Sequence, residues 1–445
     1  MLQLPQQVDT ALRRLNDAGY EACIVGGCVR DGLMGRTPGD YDVTTSALPE
    51  EVEAVFAGEK VIETGLQHGT VTVLLSGEPM EITTYRVDGD YSDARHPDSV
   101  SFTRSLPEDL ARRDFTVNAM ARTRDGALVD LFGGQADIDA RIIRCVGDPD
   151  TRFSEDALRI LRALRFAARL DFEIEPETAA ALRRKKYLLR HVSAERVREE
   201  LTKLLCGAAA HRVLTDYADV IGEALPEILP SVGFMQNHPC HIYTVYEHCL
   251  AALDHVPAEP VLRWTAFLHD LGKPLVYTTD PDGTHHYYGH ATRSAELAAA
   301  ALTRLKFDTA SRERILQLIS VHDRRIEPTV PAVKRALGKL TPEVFSQLIA
   351  IKRADNFAQA EHLRGRQAYY DELERIAAEI LAEKACFSLR DLAVSGDDLM
   401  ALGIPKGPAV GQALRTLLDA VIDGAVPNEK NALLEFFTAG KGENV

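Results

Sequence analysis

The sequence has no apolar run long enough to cross a bilayer, so no helical membrane span is expected. It has no Cys-x-x-Cys pair; its seven cysteines are scattered, which excludes a zinc knuckle and fits a reducing compartment. It has no low-complexity segment and no repeat of fixed period, which excludes a repeat architecture. The first amphipathic stretch, about Val8 to Ala18, carries Asp9, Arg13, Arg14 and Asp17. A secretory apolar core does not contain such charges, so a cytoplasmic protein is expected. Positive charge is in deficit: the net value of −15 argues against a general nucleic-acid coat protein, although a local basic face can still meet RNA. Arg183, Arg184, Lys185, Lys186 and Arg190 form one basic cluster, which is equally the composition of a solvated helix end.

What is present is ordinary globular material. The 445 residues are 45% apolar and 26% charged, enough for roughly two to four domains. Up to about residue 145 the pattern mixes strands (Glu21–Val25, Val61–Glu63, Thr70–Leu75, Glu81–Arg86) with a helix expected from Arg113 to Arg122. Asp88 to Asp98 reads as a polar loop and Asp130 to Gly134 as a turn that can hinge. From Ser154 onward the chain reads as helix after helix. Pro226, Pro230 and Gly233 mark one boundary and Cys386 to Ser388 another. The expectation is an α+β protein: a head over 1–145, a helical neck over 146–225, a helical domain over 226–385 and a helical tail over 386–445.

The chemistry concentrates first at Ile24-Val25-Gly26-Gly27-Cys28-Val29-Arg30-Asp31 and Asp40-Tyr41-Asp42. Gly26 and Gly27 let backbone approach a bulky anion with no Cβ in the way, and Arg30 can pair with it. If Asp40 and Asp42 share a strand, both carboxylates point to one face. Such a pair suits Mg²⁺, which takes further oxygens from substrate phosphates. Glu81 is the candidate third carboxylate of a two-metal phosphoryl-transfer site, or an edge-strand carboxylate in solvent. In Arg112-Arg113-Asp114-Phe115-Thr116-Val117-Asn118, Arg113 can hold a triphosphate, Asn118 can bond a sugar hydroxyl, and Asp114 can cap a helix.

Ser154-Glu155-Asp156-Ala157-Leu158-Arg159 is expected to open the next helix, with Ser154 as its cap. Arg159, Arg162 and Arg165 then form one row beside Asp156, opposite a buried stripe of Leu158, Leu161, Leu164 and Ala168. Cytosine and adenine both carry an amino donor next to a ring-nitrogen acceptor. One carboxylate beside one guanidinium complements that edge and mismatches uracil and guanine. Asp156 and Arg159 can therefore select C and A.

These motifs, with Asp130-x-x-Gly133-Gly134 and Ala194-Glu195-Arg196-x-x-x-Glu200, resemble in order those of the bacterial class II tRNA nucleotidyltransferase and poly(A) polymerase family. The likeness runs from about residue 20 to 205. It implies a polymerase-β-like nucleotidyltransferase head and addition of C, C and A to the tRNA 3′ end from CTP and ATP. It implies further that Asp40 and Asp42 bind Mg²⁺, that Gly27, Arg30 and Arg113 hold the triphosphate, and that Asp156 with Arg159 reads the base. Arg162 and Arg165 would support that helix and contact nucleotide, while Glu195 and Arg196 lock the neck helices. The stretch Arg86 to Pro97 supplies a loop that, by the same resemblance, favours full CCA addition over CC alone.

A second set, His248, His269-Asp270, His290, His322 and Asp355, is spread through the helical body. Neutral imidazole and carboxylate suit Mn²⁺, Fe²⁺, Ni²⁺ or Zn²⁺. His269-Asp270 at an apolar helix end, with histidines before and after and a distant aspartate, resembles the HD superfamily of metal-dependent phosphohydrolases over about 238–356. That implies either an active phosphatase or 2′,3′-cyclic phosphodiesterase, or a helical body that keeps a metal site without a reaction. His285 and His286, expected on a turn, have no assignment. Near the end, Ser395 to Leu399 opens a helix, and Leu402 to Gly411, with Lys406, is a turn that resembles tRNA-contacting segments. Three alternatives remain at this level: a poly(A) polymerase, a phosphohydrolase with a nucleotide-binding head, and an RNA-binding structural protein.

Overall fold

The computed structural model describes residues 4–65, 69–89 and 100–441. The chain divides into two units, Met1–Leu229 with Arg304–Phe307, and Pro230–Thr303 with Asp308–Val445. No helix among the described residues is long and apolar enough to cross a membrane.

In the first unit, α1 (Gln6–Asp17) buries Val8, Ala11, Leu12 and Leu15, one face at helical spacing. It precedes a sheet built from β1 (Ala22–Val25), β2 (Asp42–Thr45), β3 (Lys60–Gly65), β4 (Thr70–Leu75), β5 (Glu78–Thr84), β8 (Met120–Thr123) and β9 (Leu128–Asp130). The strand order is β3-β4-β5-β2-β1-β8-β9. A separate hairpin joins β6 (Arg86–Asp88) to β7 (Val100–Phe102). β1 is buried along its whole length, which is why it reads as the unbroken run Ala22-Cys23-Ile24-Val25. β4 buries every second residue, Val71, Val73 and Leu75, as a strand with one covered face does. β1 is antiparallel to β2 and β8, whereas β2 and β5 are parallel. Short helices α2 (Gly27–Leu33), α3 (Pro49–Val55), α4 (Leu106–Ala111) and α5 (Gly134–Ala140) link the strands. Asp130 caps α5 by accepting from the Gly134 and Gln135 amides.

The sheet is followed by α6 (Pro149–Glu155), α7 (Leu158–Leu170), α8 (Pro176–Lys185), α9 (Ala194–Leu205), α10 (Ala210–Asp216) and α11 (Ala218–Ala224). Leu158, Leu161, Leu164 and Ala168 are buried on α7, the stripe expected from their spacing.

Three local expectations are corrected. Arg113 to Arg122 is not a helix: Thr116–Asn118 makes one 3-10 turn and Met120–Thr123 is a strand. Pairing of Ala121 with Val25 across the sheet is a tertiary demand that local pattern does not carry. Ser154 caps nothing; it lies inside α6, its hydroxyl donating to the Asp150 carbonyl, and Asp148 is the true cap. The chain is extended at Asp156 (φ −133°, ψ 103°) and α7 starts two residues later. Finally, Arg86–Asp88, assigned to a loop, is the β6 strand; the rest of that segment, 90–97, lies outside the described residues.

The second unit is helical: α12 (Val245–Asp254), α13 (Pro260–Leu268), α14 (His290–Arg304), α15 (Thr309–Val321), α16 (Val330–Phe357), α17 (Gln367–Ala382), α18 (Gly396–Ala401), α19 (Pro408–Ile422) and α20 (Lys430–Lys441). α16 is interrupted at Thr341 (φ 63°), immediately before Pro342, because proline cannot continue the hydrogen-bond ladder. One core joins α15, α16 and α17 through residues such as Leu318, Leu348 and Leu373. Another joins the last three helices through Leu399, Leu417 and Leu433. Ser395 caps α18 by accepting from the Asp398 amide, as its sequence led one to expect. Thr278–Thr279 pairs antiparallel with His285–His286, so these two histidines stand on a short hairpin strand.

Candidate functional sites

The sheet register assembles the head site. Val25 stands opposite Asp42, and Val43 opposite Ile82 on the parallel neighbour, which brings Glu81 to the level of Asp42. Gly26 follows β1 with φ 79° and ψ −131°, a conformation open essentially to glycine alone. A Cβ there would stand 3.3 Å from Arg113 Nη1 and 3.9 Å from Asp42 Oδ2. Gly26 therefore makes room for a guanidinium and a carboxylate at one strand end. Asp40 does not share the strand with Asp42: β2 begins at Asp42, and Asp40 lies in the preceding segment. The two still interact. Desolvation by the protein around it raises the Asp42 carboxyl above its ordinary range; Asp40 and Glu81 push the same way, and Arg113 opposes them. Negative charge thus gathers at Asp42, and carboxylate oxygens are the hard donors that Mg²⁺ takes together with substrate phosphates.

Arg113 is aimed by a residue that motif reading passes over. Asp109, 0% exposed, accepts from Arg113 Nη2 at 3.0 Å and from Arg112 Nη2 at 2.6 Å. Burial pushes the Asp109 carboxyl up, but Arg113 and Arg112 outweigh it and the net shift is downward. The sequence signal was an acid three and four residues before paired arginines.

Arg30 is not open to an incoming anion. It is 4% exposed, donates to Asn118 Oδ1 at 2.7 Å and to Asp31 Oδ1 at 2.8 Å, and lies over the Phe166 ring. Asn118 also donates to Asp114 Oδ1 at 3.4 Å. Asp114 is not a helix cap: its Oδ2 accepts from Arg162 Nε at 2.7 Å. Burial raises the Asp114 carboxyl, and the Arg162 and Arg159 charges more than reverse that. A chain Arg30–Asn118–Asp114–Arg162 thus ties the glycine turn to α7.

Asp156 and Arg159 sit at the start of α7, each with its own partner. Asp156 accepts from the Leu158 amide at 3.0 Å and from Arg196 Nη2 at 2.9 Å. Arg159 donates to Glu155 Oε2 at 2.6 Å and to the carbonyls of Arg152 and Arg112. Arg165 pairs with Glu200 at 2.9 Å and lies over Phe166; it faces α9 and serves packing. Glu195 pairs with Lys306, while Arg196 locks α9 to Asp156. The basic cluster at the end of α8 and in the 3-10 turn after it (Lys186–His191) is largely spoken for: Arg184 by Asp150, Lys186 by Asp219 and Arg190 by Glu223.

In the second unit all six predicted residues converge. His269 and Asp270 follow α13, His248 comes from α12, His290 from α14, His322 follows α15 and Asp355 lies on α16. Gly272 is what permits this: a Cβ there would stand 2.5 Å from the Ser294 amide nitrogen and 2.8 Å from the His290 carbonyl. The Nδ1 atoms of His248, His269, His290 and His322 each face a backbone carbonyl, at 3.2, 2.8, 2.8 and 2.7 Å. A carbonyl only accepts, so each Nδ1 carries a proton and Nε2 is the atom left to face the carboxylates. Burial pushes His248 and His269 down, but Asp270 and Asp355 more than reverse it, so without a metal these two rings hold a proton on Nε2 that a bound cation would displace. Those Nε2 atoms point at carboxylate. Asp270 Oδ2 lies 3.2 Å from His248 Nε2 and 3.3 Å from His269 Nε2. Its Oδ1 lies 3.3 Å from His290 Nε2 and 3.5 Å from His322 Nε2.

Asp355 Oδ1 is 2.9 Å from His248 Nε2. Among the described residues, His269 Nε2 and Asp270 Oδ1 are buried without a hydrogen-bond partner. Ligand atoms of these imidazoles and carboxylates lie close enough together to hold a metal, and the backbone carbonyls behind each Nδ1 fix the ring orientations. Lys273, also buried, holds Asp270 Oδ2 at 2.6 Å and Gln236 at 2.9 Å; sequence reasoning missed both. Burial alone would raise Asp270, but Lys273 and His269 hold it well below the usual carboxylate range. The site opens into a cavity of about 740 Å³ lined also by His286, Tyr288, Arg325, Lys352 and Arg366.

Comparison with known proteins accords with the head and its helical sequel. Residues 22–144 match the "Poly A polymerase head domain" model, and 171–219 match "Probable RNA and SrmB- binding site of polymerase A". Residues 290–437 match a tRNA nucleotidyltransferase domain 2 model. The CCA-adding enzyme of Geobacillus thermodenitrificans is 37% identical over 434 residues, covering 96% of this chain and 95% of that protein. That of Levilactobacillus brevis is 35% identical over 445 residues, covering 98% of each. The crystal structure of the Bacillus stearothermophilus CCA-adding enzyme in complex with CTP superposes with a TM-score of 0.71 at 30% identity, covering 99% of both chains. A nucleotidyltransferase head of this kind uses divalent metal, and the full-length matches make the assignment plain: the chain belongs to the CCA-adding enzyme family.

Proposed function

We propose that this chain adds C, C and A, without a nucleic-acid template, to the 3′ end of tRNA from CTP and ATP, in the cytoplasm. The oxygen of the RNA 3′-hydroxyl forms the new bond to the α-phosphorus, and the bond to the pyrophosphate leaving group breaks. The observation that carries this is the meeting of Asp42 and Arg113 beside Gly26, with Asp40 and Glu81 near enough to act on the Asp42 charge. Asp40, Asp42 and Glu81 would hold Mg²⁺, which when bound supplies charge neutralisation at the reacting phosphate. Arg113, steadied by Asp109, takes the triphosphate; Asn118 positions the sugar; Asp156 and Arg159 present an acceptor and donors to the base edge. The Arg30, Asp114 and Arg162 network keeps these groups in register, a preorganised arrangement that lowers the cost of reaching the transition state. The division of labour is a head over 1–145, a base-selecting neck over 146–225, a helical body over 226–385 and a tail over 386–445 that meets tRNA near Lys406. Incubating tRNA that lacks its CCA end with CTP and ATP tests this on one gel. Extension by three nucleotides is expected; extension by adenylates alone would make the chain a poly(A) polymerase, and no extension would overturn the assignment.

A second activity is favoured by the histidine cluster. We propose that His248, His269, Asp270, His290, His322 and Asp355 hold Mn²⁺, Ni²⁺, Fe²⁺ or Zn²⁺ and that the cavity hydrolyses phosphoesters, such as 2′,3′-cyclic ends. The metal when bound polarises phosphate and lowers the pKa of water. Turnover of a 2′,3′-cyclic nucleotide with Mn²⁺ or Ni²⁺ is expected; none across several metals, with nucleotide addition intact, would leave the cluster a structural site.

A further inference from the structure

The cavity beside Asp270 has a feature that phosphate chemistry does not require. His286 and Tyr288 stand on and just after the hairpin strand, their rings stacked 9° from parallel with centroids 5.6 Å apart. Tyr288 is 79% exposed. Its ring face is therefore open to a ligand entering the cavity. His286 does not swing freely: its Nε2 bonds Asp280 Oδ2 at 2.8 Å, and antiparallel pairing to Thr278 fixes its backbone. His238 meets the His286 ring edge-on at 6.0 Å. The stacked pair lines the same cavity as Asp270, Lys352, Arg325 and Arg366. The lining therefore combines cationic and candidate metal-ligand groups with an aromatic face open to solvent.

We propose that His286 and Tyr288 form a nucleobase subsite, so that the cavity prefers phosphoesters carrying a purine or pyrimidine over base-free ones. The proposal rests on the phosphoester reading of this cavity for its place, and on the stacked pair for its specificity. A base laid on Tyr288 covers the exposed ring and continues the His286–Tyr288 stack, while its phosphate reaches toward the cationic groups of the lining. Stacking tolerates any base because each has a π-face. Selection by this subsite is therefore for nucleotides as a class and not for C and A, which separates it from the head. About tenfold tighter binding is the scale expected of one aromatic–base contact.

Uridine 5′-monophosphate, whose base the selecting pair of the head is read to refuse, and ribose 5-phosphate share the sugar phosphate and differ in the base, and they make the test. Calorimetric titration of the EDTA-treated full chain should give Kd values at least about tenfold apart. Tyr288→Ala should bring the two toward equality, and Tyr288→Phe, which keeps the π-face, should restore the difference. Because Tyr288 is exposed, the variants are expected to melt like the parent, and unfolding curves check this. An unchanged ratio in Tyr288→Ala, equal affinities in the parent chain, or no binding of either ligand would overturn the subsite. Phosphate release from ribose 5-phosphate with Mn²⁺ reads the other proposal separately. Release with no Tyr288 effect defeats only the base subsite; a Tyr288 effect on binding without release defeats only hydrolysis.

Discussion

Asp109 Oδ2 accepts a hydrogen bond from Arg113 Nη2 at 3.0 Å, from a position with no solvent exposure at all. The other end of the same guanidinium, Nη1, lies where a Cβ on Gly26 would come within 3.3 Å. The acid thus fixes one edge of the arginine and leaves the other facing the carboxylate cluster. Because Arg113 is assigned to the triphosphate, Asp109→Asn is expected to raise KM for both CTP and ATP about tenfold or more, with a smaller fall in kcat. Asp109→Ala removes the buried acceptor that two guanidiniums share, and breaking a buried pair on one side costs about 3–5 kcal/mol. Steady-state kinetics on a tRNA lacking its CCA end, beside thermal melts, separates the two effects. Equal losses in KM and kcat would show that Asp109 is only a structural brace.

Gly26→Ala tests the turn itself. Its backbone sits in a region that costs a non-glycine residue about 1–3 kcal/mol, and the added methyl crowds Arg113 and Asp42. A fall in stability of that order is expected by denaturant titration, together with weaker nucleotide binding. Gly133→Ala is the control: it sits at φ 75° and ψ 26°, the milder left-handed helical region, and meets nothing within 4 Å. It should lose stability without losing nucleotide affinity.

Acid should loosen the first unit through Asp109 and Asp114. Both are buried, yet both titrate below their ordinary value because adjacent arginines outweigh the burial penalty. With the folded pKa depressed, the unfolded chain binds more protons in that window, so stability rises with pH there. The contribution is complete above the usual carboxylate range, about pH 4, and is lost as pH falls through the depressed values. Melting temperature measured at descending pH should drop steeply below about pH 4, and less steeply in Asp109→Asn.

Much of this site was legible before any coordinates. The glycine turn and the six residues of the histidine–aspartate cluster follow residue type and spacing, and the fold brings the six together, whereas Asp40 stands outside the strand that its spacing from Asp42 suggested. What the pattern could not carry is pairing across distance. The strand at Met120–Thr123 exists because β1 needs a partner, so its residues pass for a helix when read alone. Asp156 and Arg159 look like a pair on one helical turn, yet the break between α6 and α7 gives Asp156 to Arg196, forty residues later. Arg30 looked ready for an anion because Asn118, which occupies it, is far along the chain. The His286–Tyr288 stack was invisible because a two-residue hairpin strand leaves almost no periodicity.

Asp270 is the point where the histidine cluster should fail first. Its two oxygens divide the four imidazoles between them. Asp270→Asn keeps the shape but removes the charge that a divalent ion would answer. Bound Mn²⁺ or Ni²⁺ per chain after dialysis, measured by elemental analysis, is expected to drop to background. Lys273 would at the same time lose its buried counter-ion at 2.6 Å, and a charge left alone in a dry site destabilises by several kcal/mol. The metal-free variant should therefore melt below the metal-free parent, and Asp270→Asn with Lys273→Met should recover part of that loss. No change in metal content would place the ions elsewhere in the chain.

Base selection should depend on Arg196 although it is not assigned to the base. Its Nη2 holds Asp156 Oδ2 at 2.9 Å, while the Leu158 amide holds Oδ1 at 3.0 Å. The carboxylate is thus clamped from both sides at the one extended residue between α6 and α7. With Arg196→Ala the carboxylate keeps only the amide and can rotate away from the amino group of C or A. A hydrogen bond to a charged group contributes about 1.5–3 kcal/mol, roughly 10- to 150-fold in an equilibrium constant. Loss of orientation should appear as a fall in the ratio of CTP to UTP incorporation, each as kcat/KM, by about tenfold. A general drop in activity with that ratio preserved would mean that Arg196 only holds α9 in place. Arg196→Lys separates the two outcomes further, because it keeps a charge near Asp156 but not the planar fork that fixes its angle. It should retain stability and still lose part of the discrimination.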